Sequence, residues 1–144
     1  MAGLLFAFSN FVMKALLLLP PEQGMAAMQL INITILNPLF FLLFFGTAIL
    51  CAVLGVHSVL QWQNAGSTWL LAGCALYLAG VIGVTMAFNV PLNDALAGAK
   101  PSAAMAGEVW PSDTEAWLFW NHDRALLSVA SAASFTLAAR TCTG

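Results

Sequence analysis

Four long apolar stretches alternate with shorter polar segments along the chain. The apolar stretches cover about residues 2–19, 38–60, 68–88 and 115–139, and the last is less uniformly apolar at its start. A helix needs roughly 20 mostly apolar residues to cross the hydrocarbon core of a bilayer. The pattern therefore predicts an all-α protein, an integral membrane four-helix bundle that forms a single domain over residues 1–144.

The segment between the first two apolar stretches has a helical pattern of its own. Pro20 and Pro21 end the first helix, because proline disfavours helix in the residue before it and lacks a backbone donor. After them, Met25, Met28 and Asn32 recur near the 3.6-residue period of a helix. We therefore expect a short interfacial helix between spans one and two.

The other two connections differ in length. Residues 61–67 form a short polar segment, which predicts that spans two and three are antiparallel neighbours. Residues 89–114 form a longer connection that holds most of the acidic residues. Long connections without helix or strand are usually either functional or disordered. For residues 97–107, a solvated, loosely ordered loop and a functional loop are equally acceptable interpretations.

Composition excludes a soluble globule and a disordered chain. Hydrophobic residues make up 61% of the sequence and charged residues 7%, whereas an ordinary soluble domain is about a quarter charged. A net charge of −2 with four Lys and Arg residues gives no electrostatic footprint for nucleic acid and does not orient the spans. We expect an integral membrane location, the cytoplasmic membrane if the chain is bacterial. The first span is expected to be retained, since it has no basic leader region.

The cysteines and histidines do not follow a metal-binding pattern. The three cysteines have no CxxC or Cys/His zinc spacing, and we expect them to behave as small apolar residues. His57 and His122 should lie near opposite membrane faces, so they cannot share one metal ion within a chain. The sequence also has no flavin, phosphate-binding or haem-attachment motif. We therefore predict neither a metal site nor a cofactor.

Polar side chains concentrate at one end of the predicted bundle. An even number of spans places the first and third connections on the same side, next to the start of the fourth span. One face of that span is polar and aromatic on a helical wheel, and its members are Trp117, Trp120, Asn121, Arg124, Ser128 and Ser131. An unpaired guanidinium inside a membrane is expensive, so we expect Arg124 to have a carboxylate partner. The candidates are Asp94, Glu22 and Asp123.

Two smaller polar pairs lie on other spans, and several of these features also have a structural interpretation. Thr85 and Asn89 are one turn apart on the third span, as are Asn10 and Lys14 on the first. Lys14 is expected to extend to the lipid headgroups. Tryptophans at span ends often serve as interfacial anchors, and serines among small residues often allow close helix packing. Such a close contact, within the chain or between chains, is also predicted for Gly73, Gly80 and Gly83.

Several strings in the sequence resemble the anthrone oxygenase-like family of small integral membrane proteins. Many bacterial members of this family are described only as a domain of unknown function. The similarity extends over nearly the whole chain, with the motifs in the same order. The strings that carry it are FAFSNFVMKALLLLPPEQGMAAMQLIN, NPLFFLLFFGTAIL, GVTMAFNVPLNDALA and WNHDRALLSVASAA.

The resemblance implies an oxidoreductase, a monooxygenase that converts an anthrone to an anthraquinone with dioxygen and without a cofactor. The implied partners are a lipophilic aromatic molecule, dioxygen and membrane lipids, and a homo-oligomer is left open. A base, either His122 or Asp94, would remove a proton from the substrate, and Arg124 with Asn121 and Asn89 would stabilise the resulting oxyanion. The residues assigned to substrate binding are Asn89, Asn93, Trp120, Trp117, Gln29 and Asn32. Lys14 and Asp123 depart from the family pattern, and Asp123 could hold Arg124 in a local ion pair.

The main alternative is a protein without catalytic activity. In that hypothesis the chain is a membrane subunit or a lipophile-binding module whose polar cluster only fixes the helices. A small transporter is disfavoured, because the sequence shows neither inverted repeats nor a central charged pathway. Purified protein incubated with an anthrone would separate an oxygenase from a binding module.

Overall fold

The computed structural model describes the backbone of residues 1–99 and 103–142, and their side chains except at 103–105 and 142. Lys100 and the Cys142 side chain lie outside this description. The described residues are all-helical and contain no strand. We number five helices: α1 (Ala2–Leu17), α2 (Pro21–Thr34), α3 (Pro38–Leu60), α4 (Ser67–Gly98) and α5 (Ala103–Cys142).

Proline, asparagine and glycine set the helix boundaries. Proline occupies the first turn of α2 and α3, where its missing N–H would have no helical partner. Asn37 connects these two helices: its Oδ1 accepts from the Phe40 backbone N–H at 3.0 Å, and its Nδ2 donates to the Thr34 carbonyl at 3.2 Å. Before α4, Gly66 has φ 89°, a left-handed conformation that favours glycine.

The helix bounds confirm part of the prediction and correct the rest. The predicted helix after Pro20-Pro21 is present, and α3 has the bounds predicted for the second span. The third connection is not the expected loop, because α4 continues to Gly98 and α5 begins at Ala103. Pro91 does not end α4, since it falls in the first turn of an α-helical stretch that follows π-helical backbone, where its N–H is dispensable.

The helices pack around α5, which contacts α1, α2 and α4. Two glycines of α4 make the closest approach: Gly80 lies against Leu127 of α5, and Gly73 lies against Phe135. The Ser131 hydroxyl donates to the Gly73 carbonyl at 2.8 Å across the same interface. This close contact therefore lies within the chain at Gly73 and Gly80, whereas Gly83 is exposed.

Helix α3 is packed differently, because within the described residues its backbone contacts α4 alone. Its N-terminal half stands apart from α1 and α2, and only side chains such as Phe44 reach towards Leu5 of α1. Two helices are long and apolar enough to cross a membrane: α3, with a mean hydropathy of 2.6, and α4, with 2.0. Helix α1 is also apolar but shorter.

Candidate functional site

A cavity of about 450 Å³ lies where α1, α2, the N-terminal half of α3, α4 and α5 meet. Its volume falls in the range of about 300–1,000 Å³ that is typical of small-molecule sites. The wall on the α3 side is a ladder of phenylalanines. Phe40 and Phe44 stack with their ring centroids 5.3 Å apart, and Phe41 and Phe45 stack at 5.9 Å. This lining suits a flat, apolar ligand.

Arg124 of α5 lines the cavity with its side chain only 7% exposed. Its Nη1 donates to Thr85 Oγ1 at 3.0 Å, and its Nη2 donates to Asn121 Oδ1 at 2.8 Å. The guanidinium carbon also lies 5.5 Å from the centroid of the Trp117 ring. Both hydrogen-bond acceptors are neutral, so they hold the guanidinium in place without cancelling its charge.

The prediction that Arg124 pairs with a carboxylate is wrong for the described part of the chain. Neither Asp94, Glu22 nor Asp123 forms an ion pair with Arg124 there. Instead, a hydroxyl oxygen of α4 and an amide oxygen of α5 each accept one hydrogen bond from the guanidinium. Consequently the buried positive charge of Arg124 borders the cavity without an ion-pair partner among the described residues.

Asn121 fixes the second acceptor for Arg124. Its side chain is fully buried, and its Nδ2 donates to the Leu5 carbonyl at 2.9 Å and to Ser9 Oγ at 2.8 Å. These two bonds orient the amide so that Oδ1 faces the guanidinium. The Thr85 hydroxyl donates to the Val81 carbonyl at 2.6 Å, which leaves an oxygen lone pair for Arg124.

Irregular helix geometry places two of these supporting hydroxyls. Ser9 lies in a π-helical turn of α1, Phe8–Val12, and Thr85 begins the second of two such segments in α4, Thr85–Asn89 after Leu76–Gly83. A π-helical turn inserts extra backbone into a helix and is frequent at functional sites. These turns bring the hydroxyl of Ser9 to Asn121 and the hydroxyl of Thr85 to Arg124.

Polar groups from α2 and α4 also line the cavity. Asn93 Oδ1 accepts from the Trp117 indole N–H at 2.8 Å, and the neighbouring Asp94 lines the cavity with an exposed side chain. Gln29 also lines the cavity, but its Nε2 is engaged by the carbonyls of Leu96 at 2.7 Å and Ala99 at 3.0 Å. Gln29 therefore ties α2 to the end of α4.

Asn32 is the remaining predicted residue of α2. It lines the cavity, and its Nδ2 is buried without a hydrogen-bond partner among the described residues. The cavity thus brings together seven of the predicted site residues from three helices: Gln29, Asn32, Asn93, Asp94, Trp117, Asn121 and Arg124.

Three predicted site residues lie outside this cavity lining. His122 is exposed, because it is rotated by about 100° from Asn121 on α5. Trp120 stacks on Phe88 with ring centroids 3.6 Å apart. Asn89 is buried, with its Nδ2 donating to the Trp117 carbonyl at 3.3 Å and its Oδ1 unpaired within the described residues. The structure therefore supports a packing role for Trp120 and Asn89.

Sequence reasoning missed several residues of the site. It singled out Asn10 and Lys14 on α1, but both are exposed, and the neighbouring Ser9 supplies the contact instead. The signal that could have identified Ser9 is a small polar residue among the apolar residues of α1. Thr85 was noted as polar but was not assigned to the site, and the phenylalanine wall was interpreted only as part of an apolar span.

Within the described residues, no group of three or more His, Cys, Asp or Glu side chains could hold a metal ion. The cysteines Cys51 and Cys74 are buried and free. The described residues place a fixed cation, an exposed carboxylate and an aromatic wall at the cavity.

Comparison with known proteins identifies one family. The sequence profile described as anthrone oxygenase matches residues 40–134, which is more than half of the chain and includes nearly all of α3, all of α4 and the cavity-lining residues of α5. The FAFSN string of α1 precedes the matched region. No curated protein and no solved structure matches the chain.

Proposed function

Since this chain belongs to the anthrone oxygenase family, we propose that it oxidises an anthrone-like or quinol-like aromatic lipophile with dioxygen, without a cofactor. The protein would be an integral membrane four-helix bundle in which α1, α3, α4 and α5 span the bilayer. Helix α2 would lie at the interface, and the membrane would be the cytoplasmic one if the chain is bacterial.

The exposed surface supports the membrane location. Only 11% of the most apolar 18-residue stretch of α3 is buried within the protein, and 28% of that of α4. The core helix of a soluble protein would bury most of such a stretch. Exposed side chains of this kind face lipid at little cost, and a flat aromatic substrate would reach the cavity from the same phase.

The observation that carries the proposed chemistry is the guanidinium of Arg124 beside an aromatic cavity. Fixed donors stabilise a developing oxyanion most strongly where water is scarce. Thr85 and Asn121 position the guanidinium before the reaction, so little reorganisation is needed as negative charge forms. Asp94 is the carboxylate that lines the same cavity, and it is therefore our choice for the base in preference to His122.

The reaction then proceeds by proton removal and oxygen addition. The Asp94 carboxylate takes a proton from the anthrone methylene, and the electron pair delocalises onto the carbonyl oxygen as a phenolate near Arg124. The anion transfers electrons to dioxygen and forms a C–O bond, and the proton returns to give a hydroperoxide. Breaking its O–O bond with loss of the second C–H proton releases water and leaves the quinone carbonyl. In sum, one CH₂ group and one O₂ give one C=O group and one H₂O.

Turnover by the purified protein tests this proposal. Protein in detergent is mixed with 1,8-dihydroxyanthrone, and quinone absorbance is followed together with oxygen uptake. We expect one O₂ consumed per quinone formed, at a rate above spontaneous oxidation. Arg124→Gln and Asp94→Asn should reduce that rate by at least tenfold, whereas His57→Gln at the far end of α3 should not.

The His122→Gln variant decides between the two bases. We expect it to retain activity, because the His122 side chain lies outside the cavity lining. If His122→Gln loses activity while Asp94→Asn keeps it, His122 and not Asp94 is the base. An unchanged rate in Arg124→Gln would remove the basis of the mechanism.

A lipophile-binding module is the second candidate. It is favoured by the hydrogen bonds of Gln29 and Asn121, which join helices within the protein. Such bonds would fix a bundle around a bound molecule without chemistry. Saturable binding of several anthrones and quinols, with no oxidation above the spontaneous rate for any of them, would establish this alternative.

A further inference from the structure

We infer that the cavity binds an acidic aromatic lipophile in its ionised form, as a phenolate or enolate, already in the resting complex. The inference extends the proposed function, because it concerns the state of the ligand before any oxygen is present. It depends on the charge balance of the cavity and on the hydrogen bonds of Arg124.

Arg124 keeps hydrogen-bond donors that the described residues do not use. A guanidinium has five N–H groups and cannot act as an acceptor. One N–H of Nη1 goes to Thr85 and one of Nη2 goes to Asn121, while the Nε N–H is buried and unpaired within the described residues. Each Nη therefore keeps a second N–H, and the residue borders the cavity. An anionic oxygen is the acceptor that suits these donors best.

Few charged side chains on the helices around Arg124 face the cavity. Among the charged side chains that the structure describes, Arg124 of α5 and Asp94 of α4 line the cavity. Asp94 is exposed and forms no ion pair with Arg124. Lys14 of α1 and Glu22 of α2 are outside the lining, as are Asp123 and His122 on α5 itself. The buried positive charge is therefore left for the ligand to neutralise.

The rest of the cavity wall next to Arg124 is largely apolar and aromatic. Phenylalanines of α3, together with Phe8 and Trp117, surround the space next to Arg124. Apolar walls of this kind lower the polarity next to the guanidinium, which strengthens its attraction for an anion. They also require the charge to be carried by a flat hydrophobic molecule, which excludes small hydrated anions as the preferred ligand.

The experiment uses 2-hydroxyanthraquinone, a phenol whose neutral and ionised forms differ in absorbance and which has no methylene group to oxidise. The bound and free probe are titrated with acid and base in the same detergent under argon. We expect the pKa of the bound probe to be at least one unit below that of the free probe, a tenfold preference for the anion. The methoxy analogue, which cannot ionise, should bind about tenfold more weakly than the hydroxy probe at a pH above the pKa of the free probe.

Matched variants assign the effect to Arg124. Arg124→Gln should abolish the shift, and Arg124→Lys, which keeps the charge, should retain part of it. Arg140→Gln, near the end of α5 and outside the cavity lining, should behave as the parent protein. If Arg124→Gln does not fold, the comparison of the hydroxy and methoxy probes on the parent protein decides the question.

The outcomes also separate this inference from the oxygenase proposal. A probe that does not bind, or that binds with an unshifted pKa, would overturn the inference even if anthrone oxidation is observed. If the pKa of the bound probe is lowered but the protein does not oxidise anthrones, the inference is supported and the oxygenase proposal is refuted. Equal shifts in the parent and Arg124→Gln proteins would exclude Arg124 as the cause.

Discussion

Replacing Gly80 by alanine should separate α4 from α5 where they approach most closely. A Cβ at position 80 would lie 2.7 Å from Leu127 Cδ1 and 2.8 Å from Leu127 Cβ. Carbon atoms in contact prefer about 3.5–4.0 Å, so each distance is short by roughly 1 Å. Leu127 Cβ is bonded to the backbone of α5 and cannot rotate away, hence the helices themselves must move.

The magnitude follows from overpacking and helix propensity. Forcing an extra methyl group into a packed interface costs about 1–3 kcal/mol, while alanine in place of glycine within a helix contributes up to about 1 kcal/mol of stability. The matched control is Gly83→Ala on the same helix, because its nearest contact is an ordinary 3.5 Å from the Leu78 carbonyl oxygen. The difference between the two variants should therefore be about 1–3 kcal/mol.

Unfolding by SDS in mixed micelles, followed by circular dichroism, measures this difference. Gly80→Ala should unfold at a lower SDS fraction than the parent, and Gly83→Ala at an equal or higher fraction. Indistinguishable unfolding free energies for the two variants would refute the close packing of α4 on α5.

Three further predictions concern single groups. Tyr77→Phe removes the buried bond from the Tyr77 hydroxyl to the Phe44 carbonyl, 3.0 Å long, and should lower the free energy of unfolding by about 1 kcal/mol in the same assay. Asn121→Ala removes an acceptor from a buried charge and should cost about 1.5–3 kcal/mol, with Ser128→Ala as a smaller reference change. Burial raises the pKa of Asp113 above its ordinary value of 3.8, so its ionisation opposes folding. Asp113→Asn should therefore stabilise the protein above the raised pKa, and this gain should disappear below pH 3.8 in thermal melts.

Local signals predicted the starts of α2 and α3 and the polar stripe of α5. Asn37-Pro38 marks the first residue of α3, and Pro20-Pro21 marks the start of α2, because each proline restricts the backbone irrespective of its neighbours. Regular helix geometry was enough to place Asn121 and Arg124 on the buried side of α5. The family was also identified correctly from the sequence, whereas the substrate and the activity remain predictions.

The remaining features depend on backbone irregularity and long-range packing. A wheel that advances 100° per residue does not allow for the π-helical turns in α1 and α4, which alter the register around Ser9 and Asn89. Trp120 was expected in the site, but it stacks on Phe88 of another helix, and the local sequence pattern does not predict a contact between helices. The extension of α4 beyond Pro91 likewise depends on the preceding π-helical segment.

Within the described residues the backbone of α3 contacts α4 alone, so two groups of helices contribute differently to the cavity. The hydrogen bonds that hold Arg124 come from α4 and α5, whereas α3 contributes shape through its phenylalanines. Residues such as Phe40, Phe41 and Phe45 can therefore diversify during evolution while the electrostatics beneath them stay intact. Mutant libraries restricted to these three positions offer an engineer a direct route to altered ligand preference.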